Sequence, residues 1–185
     1  MKYFSSTSTE PEMRNFGKNV LVEDHQMEKR VLPTESDVFL SHSSKDSNVL
    51  PKVIDLLERH GAKVYIDKID NELPQKTSSE TGAKLKERIA QCPKFIVLVT
   101  MNSKTSLWIP WELGFADEKK KLPNIAILPD VGNSPNAEWP EQEYLGLYPR
   151  IVFTNFNGQT TPVWMVRDHH KKTGIELSEW LKQQP

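Results

Sequence analysis

The chain has 185 residues, room for one packed domain with an extension and too few for two domains with separate cores. Basic and acidic residues balance at 24 against 25, which removes the field that draws a protein to nucleic acid or an anionic membrane, and 37% hydrophobic residues with a mean hydropathy of -0.57 imply polar extension. The single cysteine, Cys92, excludes an intramolecular disulfide or a thiolate metal cluster and fits a reducing cytoplasm, and neither a signal-type start nor a span of ~20 apolar residues is present.

Residues 1–36 mix charges with Ser, Thr and isolated apolar residues, and show no sustained helical or strand period. They read as an N-terminal extension or linker, either a poorly ordered tail or a segment for self-association and partner docking. Order is expected from Asp37, where Val38, Phe39 and Leu40 predict a buried strand that gives way to the polar loop 41–46. Asp46 or Ser47 can cap a helix carrying Val49, Val53, Leu56 and Leu57 at helical spacing, with Pro51 tolerated near its first turn and Gly61 ending it. Residues 63–67 predict a second strand, and the polar stretch 68–82, with Pro74, a long loop. Leu85 and Ile89 mark a short helix that Pro93 stops, and Phe95 to Val99 predict a third, fully buried strand.

A loop over residues 100–108 leads to Pro110, placed as the first residue of a helix that runs to Lys121. Residues 125–128 and 151–153 predict a fourth and a fifth strand, with a short or distorted helix between them. Leu177, Trp180 and Leu181 predict an amphipathic closing helix capped by Thr173. Alternating strands and helices imply an α/β fold, a five-stranded and mostly parallel sheet with helices on both faces.

In such sheets ligands bind beyond the carboxyl ends of the strands where strand order reverses, in the flavodoxin-like order between the first and third strands. That singles out loops 41–46 and 100–112. A phosphorylated receiver would need an acidic pair after the first strand and an aspartate ending the third, but Ser41-His42 and Thr100 stand there. A dinucleotide phosphate cradle wants glycines, and loop 41–46 has none. What the second loop offers is Glu112, expected in the first turn of a helix, ionised by the helix dipole, and flanked by Trp108 and Trp111. A carboxylate beside aromatic faces suits a cationic ring and a developing oxocarbenium ion, although it also fits an ordinary first-turn glutamate.

These pieces together resemble a family. Residues 37–42 resemble the first box of TIR domains, residues 64–67 with the Pro74 loop resemble the family's second strand and BB loop, and residues 106–112 resemble its serine, tryptophan and glutamate signature. The resemblance implies a flavodoxin-like fold over residues 37–185. It also implies an NAD glycohydrolase or cyclase in which Glu112, four residues after Trp108, is catalytic and releases ADP-ribose or a cyclic isomer that signals in antiphage defence. NAD would be substrate, and no cofactor or metal is implied. By the same resemblance Ser41, His42, Ser43, Ser44 and Lys45 lie where the family binds ribose and phosphate, with serines where many relatives carry arginine. Trp108 would stack on a base or plug the helix against the sheet, and Asp67 would contact substrate or anchor a loop. His169 and His170 lack a third ligand at metal spacing. Self-association through TIR–TIR contacts and an effector protein that senses the product are the implied partners. The competing functions are a non-catalytic TIR scaffold and, more remotely, nucleoside deoxyribosyl transfer.

Overall fold

The computed structural model describes residues 2–7, 36–67, 79–132, 143–155 and 160–184. Strands β1 (Val38–Ser41), β2 (Val64–Tyr65), β3 (Lys94–Val99), β4 (Ile125–Pro129), β5 (Arg150–Thr154), β6 (Val163–Asp168) and β7 (Thr173–Glu176) form one sheet in the order β2-β1-β3-β4-β5-β6-β7. The first five follow the flavodoxin order and pair parallel; β5–β6 and β6–β7 pair antiparallel. The expected sheet of five strands is thus one of seven, because a hairpin extends it beyond β5. Residue Thr173, expected to cap the last helix, instead opens β7, and that helix begins at Leu177.

Alternation along the strands builds two cores. Val38, Leu40, Ile96, Leu98, Ala126 and Leu128 pack under helices α1 (Leu50–Arg59) and α4 (Leu177–Lys182). Phe39, Phe95, Val97, Val99, Ile125 and Ile127 pack under α2 (Ser79–Gln91) and α3 (Trp108–Lys120). Every residue of β3 is buried, as expected of a central parallel strand covered on both faces. Gly61 closes α1 at φ 96°, a conformation that costs a side-chain-bearing residue energy, and its amide donates to Glu58 O at 2.9 Å.

Several boundaries move. Asp46 does not cap α1, which starts at Leu50, although its carbonyl accepts from Val49 N at 2.9 Å. The second strand is two residues long, and α2 is already helical from Ser79, inside the stretch expected as loop; residues 68–78, with Pro74, lie outside the described residues. The short helix before β5 is a 3-10 turn, Glu143–Leu147. Of the N-terminal extension, residues 8–35 lie outside the described residues, whereas residues 2–7 lie along the carboxyl ends of β4 and β5. Lys2 and Phe153 exchange backbone hydrogen bonds of 2.8 Å, Val131 N donates to Phe4 O, and Phe4 is buried beside Trp164.

Candidate active site

Chain reversal makes the cleft. From β1 the chain crosses to α1 on one face, and from the adjacent β3 it reaches α3 on the other, so the loops after these strands part at the carboxyl edge. A cleft of about 330 Å³ opens there, lined by His42, Ser43, Ser44, Lys45, Asp67, Trp108 and Glu112 together with Thr105, Ser106 and Leu107. Seven of the eight residues expected at a site therefore share one cavity. The eighth, Ser41, is 1% exposed and bonded to Glu112.

A buried aspartate joins the two loops. Asp46 accepts from Ser43 N at 3.2 Å through Oδ2, and from Thr100 Oγ1 at 2.9 Å and Asn102 Nδ2 at 2.7 Å through Oδ1. Thr100 in turn opens the 3-10 turn Met101–Thr105, where it accepts from Asn102 N while Ser103 Oγ accepts from Thr100 N. Ser106 follows and accepts from Ile109 N in the first turn of α3. Asp46, Thr100 and Asn102 thus tie together the two loops that the sequence pattern singled out, and pattern reading missed them as a unit. Their only sequence signal is a cluster of short polar residues after each buried strand.

Glu112 departs from expectation in its charge. The helix begins at Trp108 rather than Pro110, so Glu112 is past the first turn, where the dipole's influence fades. Its side chain is buried, and burial pushes its carboxyl pKa up from 4.5 to about 8, with the negative charge of Asp67 adding to the rise and a hydrogen bond from Ser41 opposing it. At neutral pH the free protein therefore holds this carboxyl largely protonated, not ionised. Ser41 Oγ donates to Oε2 at 2.5 Å, and Oε1 takes no hydrogen bond among the described residues.

The remaining groups surround that carboxyl. His42 Nδ1 lies 3.2 Å from Leu40 O, and its Nε2, 3.8 Å from Asp67 Oδ1, has no hydrogen-bond partner among the described residues. Ser44 and Lys45 are exposed on the rim of the cleft. Trp108 packs on the core under α3, as a plug between helix and sheet would, and also lines the cleft, edge-on to Trp111 at 5.4 Å. Cys92, the only thiol, is buried away from this cleft with its pKa pushed up to about 12, chiefly by burial, which removes it as a nucleophile. Among the described residues no cluster of His, Cys, Asp and Glu could hold a metal ion, and no helix is long and apolar enough to cross a membrane. His170 is exposed and binds Gly146 O at 2.9 Å.

Comparison with known proteins places the chain in a family. The chain is 37% identical over 150 residues, 80% of its length and 76% of the relative's, to the Bacillus cereus (strain MSX-D12) protein named "Probable 3' cyclic ADP-D-ribose synthase ThsB'". It is 36% identical over 88 residues, 46% of its length but 23% of the relative's, to the Cytobacillus dafuensis protein named "Putative cyclic ADP-D-ribose synthase TIR2". Among solved structures, the TIR domains of the activated Roq1 resistosome recognising the effector XopQ align with half of the chain and 55% of their own, at 24% identity and a TM-score of 0.38. The TIR domain family matches residues 38–180, a span that contains the whole cleft and, Phe4 and Leu181 apart, the buried residues of both cores, and the chain belongs to that family.

Proposed function

We propose that the protein cleaves the bond between nicotinamide and ribose in NAD and closes the remaining ADP-ribosyl group into a cyclic ADP-ribose, with linear ADP-ribose formed when water intervenes. The observation that carries this reading is a buried carboxyl at the switch point of a parallel sheet, in a cleft whose rim bears Lys45 and Trp108. The names of the two bacterial relatives support the cyclic product.

The chemistry follows from the charges. Breaking the glycosidic bond sends its electron pair to the pyridinium nitrogen, so nicotinamide leaves neutral and no general acid is needed. Positive charge moves to the ribose as an oxocarbenium ion. Glu112 must be ionised to stabilise it, and entry of a cationic pyridinium into the cleft favours that state, because a nearby opposite charge lowers a carboxyl's pKa. Capture by a hydroxyl of the adenosine ribose forms the new C–O bond. The hydroxyl's proton passes to Glu112, whose affinity for a proton is restored once the cation is gone. Lys45 would meet the diphosphate, Ser43 and Ser44 would donate to it or to ribose, Trp108 would stack on a ring, and His42 and Asp67 would contact the sugar side of the cleft.

Assembly without catalysis is the second reading. It is favoured by Leu107, an 89% exposed leucine on the rim of the cleft, where a partner surface would cover it. The two readings are compatible, since TIR–TIR contacts can complete a cleft as well as build a scaffold. In the enzymatic reading the cyclic product is a cytoplasmic signal in antiphage defence, read by a separate effector protein, and NAD is consumed as substrate with no further cofactor. Concentrated protein incubated with NAD should release nicotinamide and an ADP-ribose isomer, identified by mass spectrometry, and Glu112→Gln should release neither. Turnover by that variant at the unsubstituted rate would leave only the assembly reading.

A further inference from the structure

We propose that Ser41 is a positioning residue for the reaction, its hydroxyl holding Oε2 of Glu112 so that one carboxylate oxygen is bound to the protein and Oε1 is left for the substrate. The inference rests on the reading of Glu112 as the reacting carboxyl. It assigns Ser41 a role through Glu112 rather than the contact with substrate that its place in the first loop suggested.

The geometry comes from the sheet. Ser41 ends β1 in register with Val97 of β3, so its backbone is fixed by the ladder and its hydroxyl has little freedom. Alternation places it on the face that α3 covers, and Glu112 is carried by α3. The other three residues of β1 are apolar and the whole strand is buried, so a serine at this position puts one donor into an apolar layer, and its bond at 2.5 Å goes to Glu112. When Glu112 ionises, this O–H is already placed to donate to the charge, a stronger bond than one to the neutral carboxyl.

Few charges face Glu112. Asp67 beyond β2 opposes its ionisation. The loop after β1 brings His42, Lys45 and Asp46, the last already occupied by three donors, and the turn after β3 brings Lys104. Of its neighbours on α3, Trp108 lines the cleft and Ile109 lies in the core, and both are uncharged. Ser41 is thus the side chain among the described residues that hydrogen-bonds the carboxyl and stabilises its ionised form.

Ser41→Ala, Ser41→Thr and the unsubstituted protein are compared by kcat/KM for nicotinamide release from NAD, from about pH 6 to about pH 10. Unsubstituted protein should rise with its midpoint near pH 8 to a plateau in alkali. Ser41→Ala should move the midpoint about one pH unit upward, and so lose about tenfold near neutrality while converging on the unsubstituted plateau in alkali. Threonine should restore the midpoint. Carboxyl carbon NMR of Glu112 should show the same displacement without substrate, and melting curves verify that each variant is folded. Should the alanine variant not fold, Ser41→Cys, with its weak donor, should give an upward displacement of the same sign. An unmoved midpoint, or a loss of equal factor at every pH, overturns the proposal. If Glu112→Gln is inactive and Ser41→Ala leaves the midpoint in place, this inference alone falls; turnover by Glu112→Gln rejects the catalytic reading beneath it.

Discussion

Replacing Glu112 with glutamine should abolish nicotinamide release and, at neutral and alkaline pH, make the fold more stable. An unfolded glutamate titrates near 4.5, whereas in the native cleft the carboxyl titrates near 8. Between those values the native state keeps a proton that the unfolded state has already lost, so stability is fully present below about pH 4.5 and declines as pH rises, levelling off above about 8. At about 1.36 kcal/mol for each pH unit, the gap amounts to about 5 kcal/mol in alkali, of which about 3 kcal/mol is felt at pH 7. Glutamine keeps the shape and the acceptor for Ser41 but cannot ionise. Urea denaturation of both proteins, near pH 5 and near pH 9, should show the variant's advantage growing by several kcal/mol between the two conditions. A variant less stable than its parent at both values, or an advantage independent of pH, would refute the claim that burial holds this carboxyl protonated.

Asp67→Asn removes the charge that pushes the Glu112 pKa upward, so the midpoint of kcat/KM against pH should fall, the opposite sense to Ser41→Ala; an unmoved or raised midpoint in the pH–rate profile would contradict the field assigned to Asp67. Asp46→Ala strands two buried donors, Ser43 N and Thr100 Oγ1, and the part-buried Asn102 Nδ2, and should cost about 3 kcal/mol of stability together with a rise in KM for NAD. Unchanged urea midpoint and KM would show that the two loops do not depend on this clamp. Phe4→Ala should cost about 3 kcal/mol in the same assay, because the ring is 1% exposed among core residues. A loss below about 0.5 kcal/mol, the range of a surface substitution, would detach the N-terminal segment from the domain.

The central strands and the cleft were legible because each rests on a local pattern. Val38 to Leu40 and Phe95 to Val99 are continuous apolar runs that only a doubly covered strand accommodates, and polar residues at their ends place two loops on one edge. Trp108 and Glu112 were legible from spacing, since four residues of helix bring both to one face. The hairpin β6–β7 was not, because β7 lies at the sheet's edge with none of its four residues buried, and Thr173 lies close enough to an apolar helical pattern to read as its cap. Nor was the packing of Phe4, one aromatic residue in a polar segment, whose partner Trp164 lies far along the chain.

By itself the sequence determined the α/β class, the strand that anchors each core and the glutamate beside tryptophan, because hydrophobic period and residue type act over neighbouring positions. Only the tertiary structure decided the protonation of Glu112, the contact that binds Ser41 to it and the clamp at Asp46. Those depend on desolvation and on charges brought together from β1, β2 and α3, which are distant in the chain and adjacent in the fold.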